Sequence, residues 1–126
     1  MASNSMGLDI PDELPRVIVN ETQSLQVFMN IILNAADAMS GSGALEVKAE
    51  RLERFVEISF SDTGPGIPVE HMEKIFDPFF TTKEKGTGLG LAVSYNIIKS
   101  YQGDIEVGNK PGGGTIFKVR LPYYES

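Results

Sequence analysis

The sequence predicts an α+β fold, a two-layer α/β sandwich in which about three helices cover one face of a mixed, mostly antiparallel sheet of about five strands. Apolar residues recur at helical spacing in residues 20–40, whereas apolar and polar side chains alternate in residues 45–51, 55–61 and 115–121. Because this alternation gives each strand one polar face, we expect solvent on the face of the sheet opposite the helices.

The first helix has sequence signals at both ends. Asn20 is a typical N-cap residue, and Gln23 follows at the position from which it can return a hydrogen bond to the cap. The helix is predicted to reach Ser40, because the glycine-rich residues 41–43 come next.

The remaining elements follow from the same periodicities and from clusters of Gly, Pro, Asp and Thr. In chain order they are an extended run at residues 15–19, a turn at 52–54 between two paired strands, a short amphipathic stretch at 69–76, a long loop at 77–90, a helix from Leu91 that ends near Gly103, and a hairpin of residues 105–107 and 115–121 around 109–114.

The length of 126 residues fits a single domain. Residues 1–7 (MASNSMG) are small and polar and have no periodicity, so we interpret them as a cloning remnant or a disordered start. Residues 8–126 are predicted to form the domain. A composition of 41% hydrophobic and 22% charged residues is typical of a soluble globular protein and excludes a disordered or fibrous chain.

The net charge and the rare residue types exclude several classes of function. With 11 Lys+Arg against 17 Asp+Glu, the net charge of -6 argues against binding to nucleic acid or to acidic membranes. The longest apolar stretch, residues 27–33, is far shorter than the roughly 18 residues of a membrane span. The chain has no cysteine and one histidine, His71, which disfavours disulfides, zinc sites and a Ser-His triad. We expect a cytoplasmic domain, monomeric in isolation, with no direct membrane contact.

A narrow polar strip follows the otherwise apolar first helix. Asn30, Asn34 and Asp37 are about one turn apart and share a face. A buried amide needs a partner, so these side chains either are solvated or paired with backbone, or they offer oxygen ligands to a hard cation such as Mg²⁺. The spacing alone leaves both interpretations open.

Asp62 ends a strand on the face that meets the helices, because it shares that face with Val56, Ile58 and Phe60. The glycines that follow at residues 64–66 let a flat ligand approach the backbone, and a carboxylate beside them can accept from an exocyclic amino group. The alternative is a strand-ending turn in which the aspartate bonds its own loop.

A second glycine-rich segment, residues 86–90 (GTGLG), runs directly into a helix. Bare amides and a positive helix end are suited to an anion, and Lys83 and Lys85 lie just upstream, so the segment has the outline of a triphosphate cradle. It is neither a Walker loop nor a Rossmann turn. Residues 112–115 (GGGT) on their own are typical of a hairpin turn.

Taken together and in this order, the motifs resemble the ATP-binding domain of sensor histidine kinases, in the wider family of gyrase, heat-shock chaperone and mismatch-repair ATPases. The resemblance covers nearly all of residues 14–122, and the segments FDPFFTTK and NAADAM are closest to the nitrogen-regulation type of kinase. Residues 30–38 look like the N box, 62–67 the first glycine box, 75–83 the F box and 86–91 the second glycine box.

The resemblance implies roles for individual residues. Asn34 is expected to ligate Mg²⁺, and Asp62 to accept from the adenine amino group with help from Thr115 through water. Backbone amides of residues 88–91 are expected to hold the phosphates under a lid formed by residues 77–87. The implied nucleotide-binding set is Asn34, Asp37, Asp62, Gly64, Gly66, Ile67, Phe76, Thr81, Thr82, Lys83, Gly86, Thr87, Gly88, Leu89, Gly90, Leu91 and Thr115, and the implied catalytic set is Asn30, Asn34 and Lys83.

Two of these positions bear on the reaction. ATP-hydrolysing relatives carry a basic Glu where this sequence has Asn30, and an amide cannot take a proton at neutral pH. Asp37 stands where many members carry a cation, so charge neutralisation is expected to depend more on Lys83 and Lys85. The resemblance therefore implies a histidine kinase rather than a hydrolase.

The expected reaction is transfer of the γ-phosphate of Mg-ATP to a histidine on a separate dimeric helical domain that this chain lacks, since His71 matches no phosphoacceptor motif. The implied partners are ATP or ADP, that phosphoacceptor domain and a response regulator. The alternatives are a clamp-type ATPase, a non-catalytic nucleotide-binding module and a serine kinase of the anti-sigma type. All of them require Asn34, Asp62 and the helix start near Gly88 to border one cavity.

Overall fold

The computed structural model describes residues 4–9, 17, 19–39, 43–72, 74–77 and 90–123. Within them, one sheet of five strands has the order β1-β2-β3-β5-β4; β1 runs parallel to β2 and the other neighbours pair antiparallel. The predicted mixed, mostly antiparallel sandwich is confirmed. The elements are β1 (Asn4–Asp9), α1 (Glu21–Ala38), β2 (Gly43–Arg51), β3 (Phe55–Asp62), α2 (Val69–Met72), α3 (Gly90–Ser100), β4 (Asp104–Asn109) and β5 (Thr115–Pro122).

The core lies between the helices and one face of the sheet. In β2 the buried side chains alternate with exposed Glu46, Lys48 and Glu50, which confirms the predicted solvated face. Helix α1 packs on the sheet through Phe28, whose ring centroid lies 5.8 Å from that of Phe60. The buried apolar residues of this core include Val27, Ile31, Ala35, Leu45, Val47, Phe60, Ile97, Ile98, Ile105, Phe117, Val119 and Leu121.

The predicted N-cap of α1 is confirmed, but the side chain of Gln23 bonds Tyr101 instead of returning a hydrogen bond to Asn20. The N–H of Gln23 donates to Asn20 Oδ1 at 3.0 Å. The backbone N–H of Asn20 donates to the hydroxyl of Tyr101 at 2.8 Å, and that hydroxyl donates to Gln23 Oε1 at 2.6 Å. The tyrosine at the end of α3 thus stands between the two residues that were expected to bond each other.

Strand β1 differs from the sequence interpretation of residues 1–7. Its residues Asn4–Asp9 pair in register with residues 43–48 of β2. Backbone groups make this pairing, so a strand can form from residues whose side chains show no alternation. In the predicted extended run, Val17 and Val19 lie outside any helix or strand, and the other positions lie outside the described residues.

An ion-pair network covers part of the outer face of the sheet. Arg120 on β5 donates to Glu57 Oε2 at 2.8 Å and to Glu106 Oε1 at 2.6 Å. The hydrogen bond from Arg120 holds the pKa of the Glu106 carboxyl below its ordinary value. The network joins the three strands β3, β5 and β4 across the solvated face.

None of the helices in the described part of the chain combines the length and the apolar character that crossing a membrane requires.

Candidate functional site

Asp62 is buried at the end of β3, with 2% of its surface exposed. Its Oδ1 accepts two backbone hydrogen bonds, from the N–H of Gly64 at 2.9 Å and from the N–H of Thr115 at 3.1 Å. No described residue donates to Oδ2. Because no fully buried side-chain oxygen in the described residues lacks a partner, Oδ2 retains some contact with solvent.

This arrangement combines the two interpretations of Asp62 that the sequence left open. One carboxylate oxygen bonds the aspartate's own loop, as in a strand-ending turn. The other oxygen is available as an acceptor on a nearly buried side chain, where an unpaired acceptor is costly and a ligand N–H is favourable. A single side chain therefore orders the loop and offers one acceptor to a ligand.

The loop after Asp62 is fixed to the strands around it. The hydroxyl oxygen of Thr63 accepts from the N–H of Ala44 at 3.0 Å and lies 3.5 Å from the sulfur of Met39, at the end of α1. On the other side, a Cβ at Gly114 would overlap the carbonyl oxygen of Asp62. The close approach of these two backbones requires glycine at position 114, where φ is +101°.

The polar strip of α1 reaches the start of α3. Asn30 Nδ2 donates to the carbonyl oxygen of Gly90 at 3.0 Å and to Ser94 Oγ at 3.1 Å. The hydroxyl of Ser94, which is fully buried, donates to the same carbonyl oxygen at 2.9 Å. Asn30 therefore uses its amide hydrogens to join α1 to the N-terminal turn of α3.

Asn34 lies about one helical turn beyond Asn30 on the same strip. It is half-buried, and no described residue forms a hydrogen bond with its side chain. Because Asn30 contacts Gly90 while Met39 contacts Thr63 beside Asp62, α1 runs from the start of α3 to the loop after β3. Asn34 is located between these two contacts.

Residues 19–125 match the family model described as "Histidine kinase-, DNA gyrase B-, and HSP90-like ATPase". The chain belongs to this family. It is 41% identical to Sporulation kinase E of Bacillus subtilis over 97% of its own length and 17% of that protein, and 40% identical to the sensor histidine kinase ZraS of Escherichia coli over 88% of its own length and 24% of that protein. The chain thus spans about a fifth of the length of these curated relatives.

The solved structures agree with this assignment. The catalytic domain of the histidine kinase ThkA superposes with a TM-score of 0.86 and 36% identity, covering 95% of this chain and 79% of that one. A second kinase, ShkA, solved as the full-length protein in complex with AMPPNP, gives a TM-score of 0.85 at 27% identity and covers 98% of this chain and 26% of that one. This member of the family therefore matches sensor histidine kinase catalytic domains along nearly its whole length.

Three predicted nucleotide-binding residues of this family member pack toward the core. The ring of Phe76 lies 5.4 Å from the ring of Tyr95 and 6.4 Å from that of Phe117. Ile67 and Leu91 are partly buried against the same core. These contacts explain how the segments are held in place, and nucleotide contact by these side chains stays a prediction.

The rest of the predicted set divides by position. Asp37 is exposed on α1. Thr115 is buried, and its N–H is the group that bonds Asp62. Because Gly88 is not among the described residues, the common cavity predicted for Asn34, Asp62 and the second glycine box also stays a prediction. The predicted residues outside the described part of the chain are Thr81, Thr82, Lys83, Gly86, Thr87, Gly88 and Leu89, together with Lys85.

Sequence reasoning missed Asn109, Lys110 and Ser94. Asn109 bonds both backbone groups of Ile67, and Lys110 Nζ donates to the carbonyl oxygen of Asp62 at 3.1 Å. In the sequence Asn109 and Lys110 precede a proline and three glycines and resemble ordinary turn residues. The available signal was an asparagine at a strand end, which is too common to indicate a long-range partner.

Within the described residues there is no group of three or more His, Cys, Asp or Glu that could hold a metal ion. A cation here would depend on isolated oxygen donors such as Asn34 and on oxygens of a bound ligand.

Proposed function

We propose that this chain is the Mg-ATP-binding catalytic domain of a sensor histidine kinase, which transfers the γ-phosphate to a histidine on a separate domain of the same parent protein. The observation that carries the proposal is the buried Asp62 carboxylate, which has one oxygen bonded to its own loop and one oxygen without a described donor. A nearly buried acceptor beside a glycine loop suits the exocyclic amino group of adenine.

The residues around Asp62 fit a purine. Gly64 and Gly66 carry no side chains, so the backbone can approach a flat ring closely. Thr115 is buried next to the carboxylate, where its hydroxyl can hold a water that bridges to the base. In this arrangement the chain supplies acceptors to the base and keeps bulk solvent from one side of it.

The residues on α1 fit a hydrated Mg²⁺. Asn34 is half-buried, offers an amide oxygen and has no hydrogen bond to a described residue, so an oxygen ligand is available there. When bound, Mg²⁺ supplies positive charge that offsets the charge of the transferring phosphoryl group. Among the residues outside the described part, Lys83 is proposed to add to this charge.

Asn30 favours phosphoryl transfer over hydrolysis. Its amide nitrogen donates to Gly90 and Ser94, and an amide has no basic site at neutral pH, so it cannot deprotonate an attacking water. The chain would then act by positioning, with the N-terminal turn of α3 facing the phosphates and the nucleophile supplied by another domain.

The partners are proposed from the relatives. The histidine kinase ThkA has been solved in complex with a response regulator, and this chain matches it with a TM-score of 0.78 at 33% identity over 96% of its length and 34% of that chain. We propose a response regulator as the downstream partner here, together with the phosphoacceptor domain of the parent protein. Because ATP is the proposed substrate, the domain is expected to work in the cytoplasm.

The test is phosphotransfer in trans. The chain is mixed with the helical phosphoacceptor domain of its parent kinase and ATP labelled at the γ-phosphate, and acid-labile label on the acceptor is followed over time. We expect label only when the acceptor histidine is present, so an acceptor domain with that histidine replaced by glutamine is the control.

Three other outcomes would contradict the proposal in different ways. Confirmed ATP binding with no transfer supports a non-catalytic nucleotide-binding module. Steady phosphate release by the chain alone supports a clamp-type ATPase. Absence of ATP and ADP binding, measured by calorimetry with and without Mg²⁺, excludes the kinase, the ATPase and the nucleotide-binding module together.

A further inference from the structure

The two ends of the loop formed by residues 62–67 are held by one cross-strand pair. Asn109 and Thr115 are partners at the end of the β4–β5 ladder. The N–H of Thr115 donates to Asp62 Oδ1 at 3.1 Å. At the other end of the loop, Asn109 Oδ1 accepts from the N–H of Ile67 at 2.8 Å, and Asn109 Nδ2 donates to the carbonyl oxygen of Ile67 at 2.8 Å.

The two bonds to Ile67 depend on the side-chain amide. An asparagine carries one acceptor and one donor group on a short side chain, so it can satisfy both backbone groups of one residue, whereas a carboxylate offers only acceptors. The preceding Gly66 has φ of +86°, and a Cβ there would lie 2.9 Å from Asn109 Oδ1. Asn109 can therefore pack against this loop only because position 66 is glycine.

The adjacent residue adds a third attachment. Lys110 Nζ donates to the carbonyl oxygen of Asp62 at 3.1 Å, and the N–H of Lys110 donates to the carbonyl oxygen of Gly114 at 2.9 Å. Hence the hairpin turn that carries Asn109 is itself bonded to the start of the loop. The loop that contains the proposed purine acceptor is shaped by β4 and β5 as much as by its own sequence.

We propose that Asn109 is a positioning residue for purine recognition, which sets the conformation of residues 62–67 through Ile67 and thereby sets the affinity for adenine. This inference rests on the proposed function, because it takes adenine as the ligand of this loop. If the side chain at position 109 is truncated, the loop samples other conformations, and the apparent affinity falls with the fraction of molecules whose loop is formed.

The experiment compares wild type, Asn109→Ala and Asn109→Asp by calorimetry with adenosine, ADP and ATP, each with and without Mg²⁺. We expect Asn109→Ala to weaken all three ligands by a common factor of about ten-fold, since two backbone hydrogen bonds to the loop are lost. Asn96→Ala, at an exposed asparagine of α3, is the matched control and is expected to bind like wild type.

Amide hydrogen exchange supplies a second measurement that does not depend on a ligand. We expect the N–H of Ile67 to be protected in wild type and in Asn109→Asp, which keeps an acceptor, and to exchange faster in Asn109→Ala. The Asp variant is still expected to bind adenosine more weakly than wild type, because its second oxygen faces the carbonyl oxygen of Ile67. If the Ala variant does not fold, the Asp variant carries the comparison of adenosine binding.

The outcomes separate this inference from the function on which it rests. If wild type binds adenosine and both folded variants bind it with the same affinity, the inference is overturned but the proposed function is not. A loss that differs between adenosine and ATP also overturns it, because a base-positioning residue acts on all adenine ligands alike. Failure of wild type to bind any adenine ligand overturns the proposed function, and the inference with it.

Discussion

Asn30 Nδ2 lies 3.0 Å from the carbonyl oxygen of Gly90, although 60 residues separate the two in sequence. The bond joins the polar strip of α1 to the first residue of α3. Ser94 Oγ accepts from Asn30 Nδ2 and donates to the carbonyl oxygen of Gly90. The three groups are therefore joined pairwise by three hydrogen bonds. Asn30, which the sequence resemblance implies to be at the position of the catalytic base of hydrolysing relatives, thus has a structural partner in this chain.

Asn30→Ala is expected to lower the free energy of unfolding by about 1–2 kcal/mol, because the carbonyl oxygen of Gly90 and the buried hydroxyl of Ser94 each lose a donor. Urea unfolding followed by circular dichroism measures the change. Gln26→Ala, at an exposed position of the same helix, is the control and should leave the stability within about 0.5 kcal/mol. Equal stability of wild type and Asn30→Ala would show that the contact contributes nothing.

Asp62→Asn should separate the two roles of this carboxylate. The amide oxygen can replace Oδ1 as the acceptor for Gly64 and Thr115, whereas the amide nitrogen replaces the available acceptor with a donor. We expect the variant to keep its fold and to lose adenine binding by about 100-fold, on the order of 3 kcal/mol, from a mismatched buried polar pair. Thermal unfolding and calorimetry with ADP are the measurements. Near wild-type affinity would remove Asp62 from the proposed base site.

Asn34→Ala is expected to weaken binding of Mg-ATP by about ten-fold or more and to leave binding of metal-free ATP nearly unchanged, because the lost group is an oxygen ligand of the cation. Calorimetry in Mg²⁺ and in EDTA tests this. Asp62→Ala serves as the comparison, since loss of the base contact should weaken both forms alike. A similar loss in both conditions for Asn34→Ala would place the metal ligand elsewhere.

The sequence was sufficient wherever a local pattern reports a local structure. Apolar and polar residue types alternate in β2 and β3 because one sheet face packs against the helices, so the inward position of Asp62 was predictable from residues 56–60. The N-cap at Asn20 was predictable because its hydrogen bond joins residues only three positions apart.

Contacts between distant segments were not predictable. Strand β1 is made by backbone pairing, and the partners of Tyr101 and Asn109 are 78 and 42 residues away, so no spacing rule marks them. The resemblance of the motifs pointed to the family, which the match over residues 19–125 confirms. It identified residues that are expected to contact a ligand, and it gave no sign of the residues that hold those positions in place.

Gly114→Ala is expected to destabilise the chain by at least about 2 kcal/mol more than Gly112→Ala. Both glycines have positive φ, +101° and +86°, so both variants incur the same kind of backbone strain. Only at Gly114 would the added Cβ overlap the carbonyl oxygen of Asp62, since nothing lies within 4 Å of a Cβ at Gly112. Urea unfolding of the two variants gives the difference directly. If they prove equally stable, the hairpin turn is not held against the loop as the structure indicates.

The Glu106–Arg120 pair should make stability depend on pH in the acid range. The hydrogen bond from Arg120 lowers the pKa of Glu106 in the folded chain, so the unfolded chain takes up the proton first as the pH falls. The pair therefore stabilises the fold above the ordinary carboxyl pKa of about 4.3, and this contribution is lost as the pH falls through the lower folded value. The Glu106 side chain is 53% exposed, so screening by water limits the effect to less than about 1 kcal/mol.

Glu106→Gln removes the titrating group but keeps a side chain of the same size. We expect it to be less stable than wild type at pH 7 and to lose less stability between pH 6 and pH 3, measured by urea unfolding across that range. Glu50→Gln, at an exposed glutamate on the same face of the sheet, is the control for a general change in surface charge. Parallel pH profiles for wild type and Glu106→Gln would mean that the hydrogen bond to Arg120 does not favour the ionised carboxyl in solution.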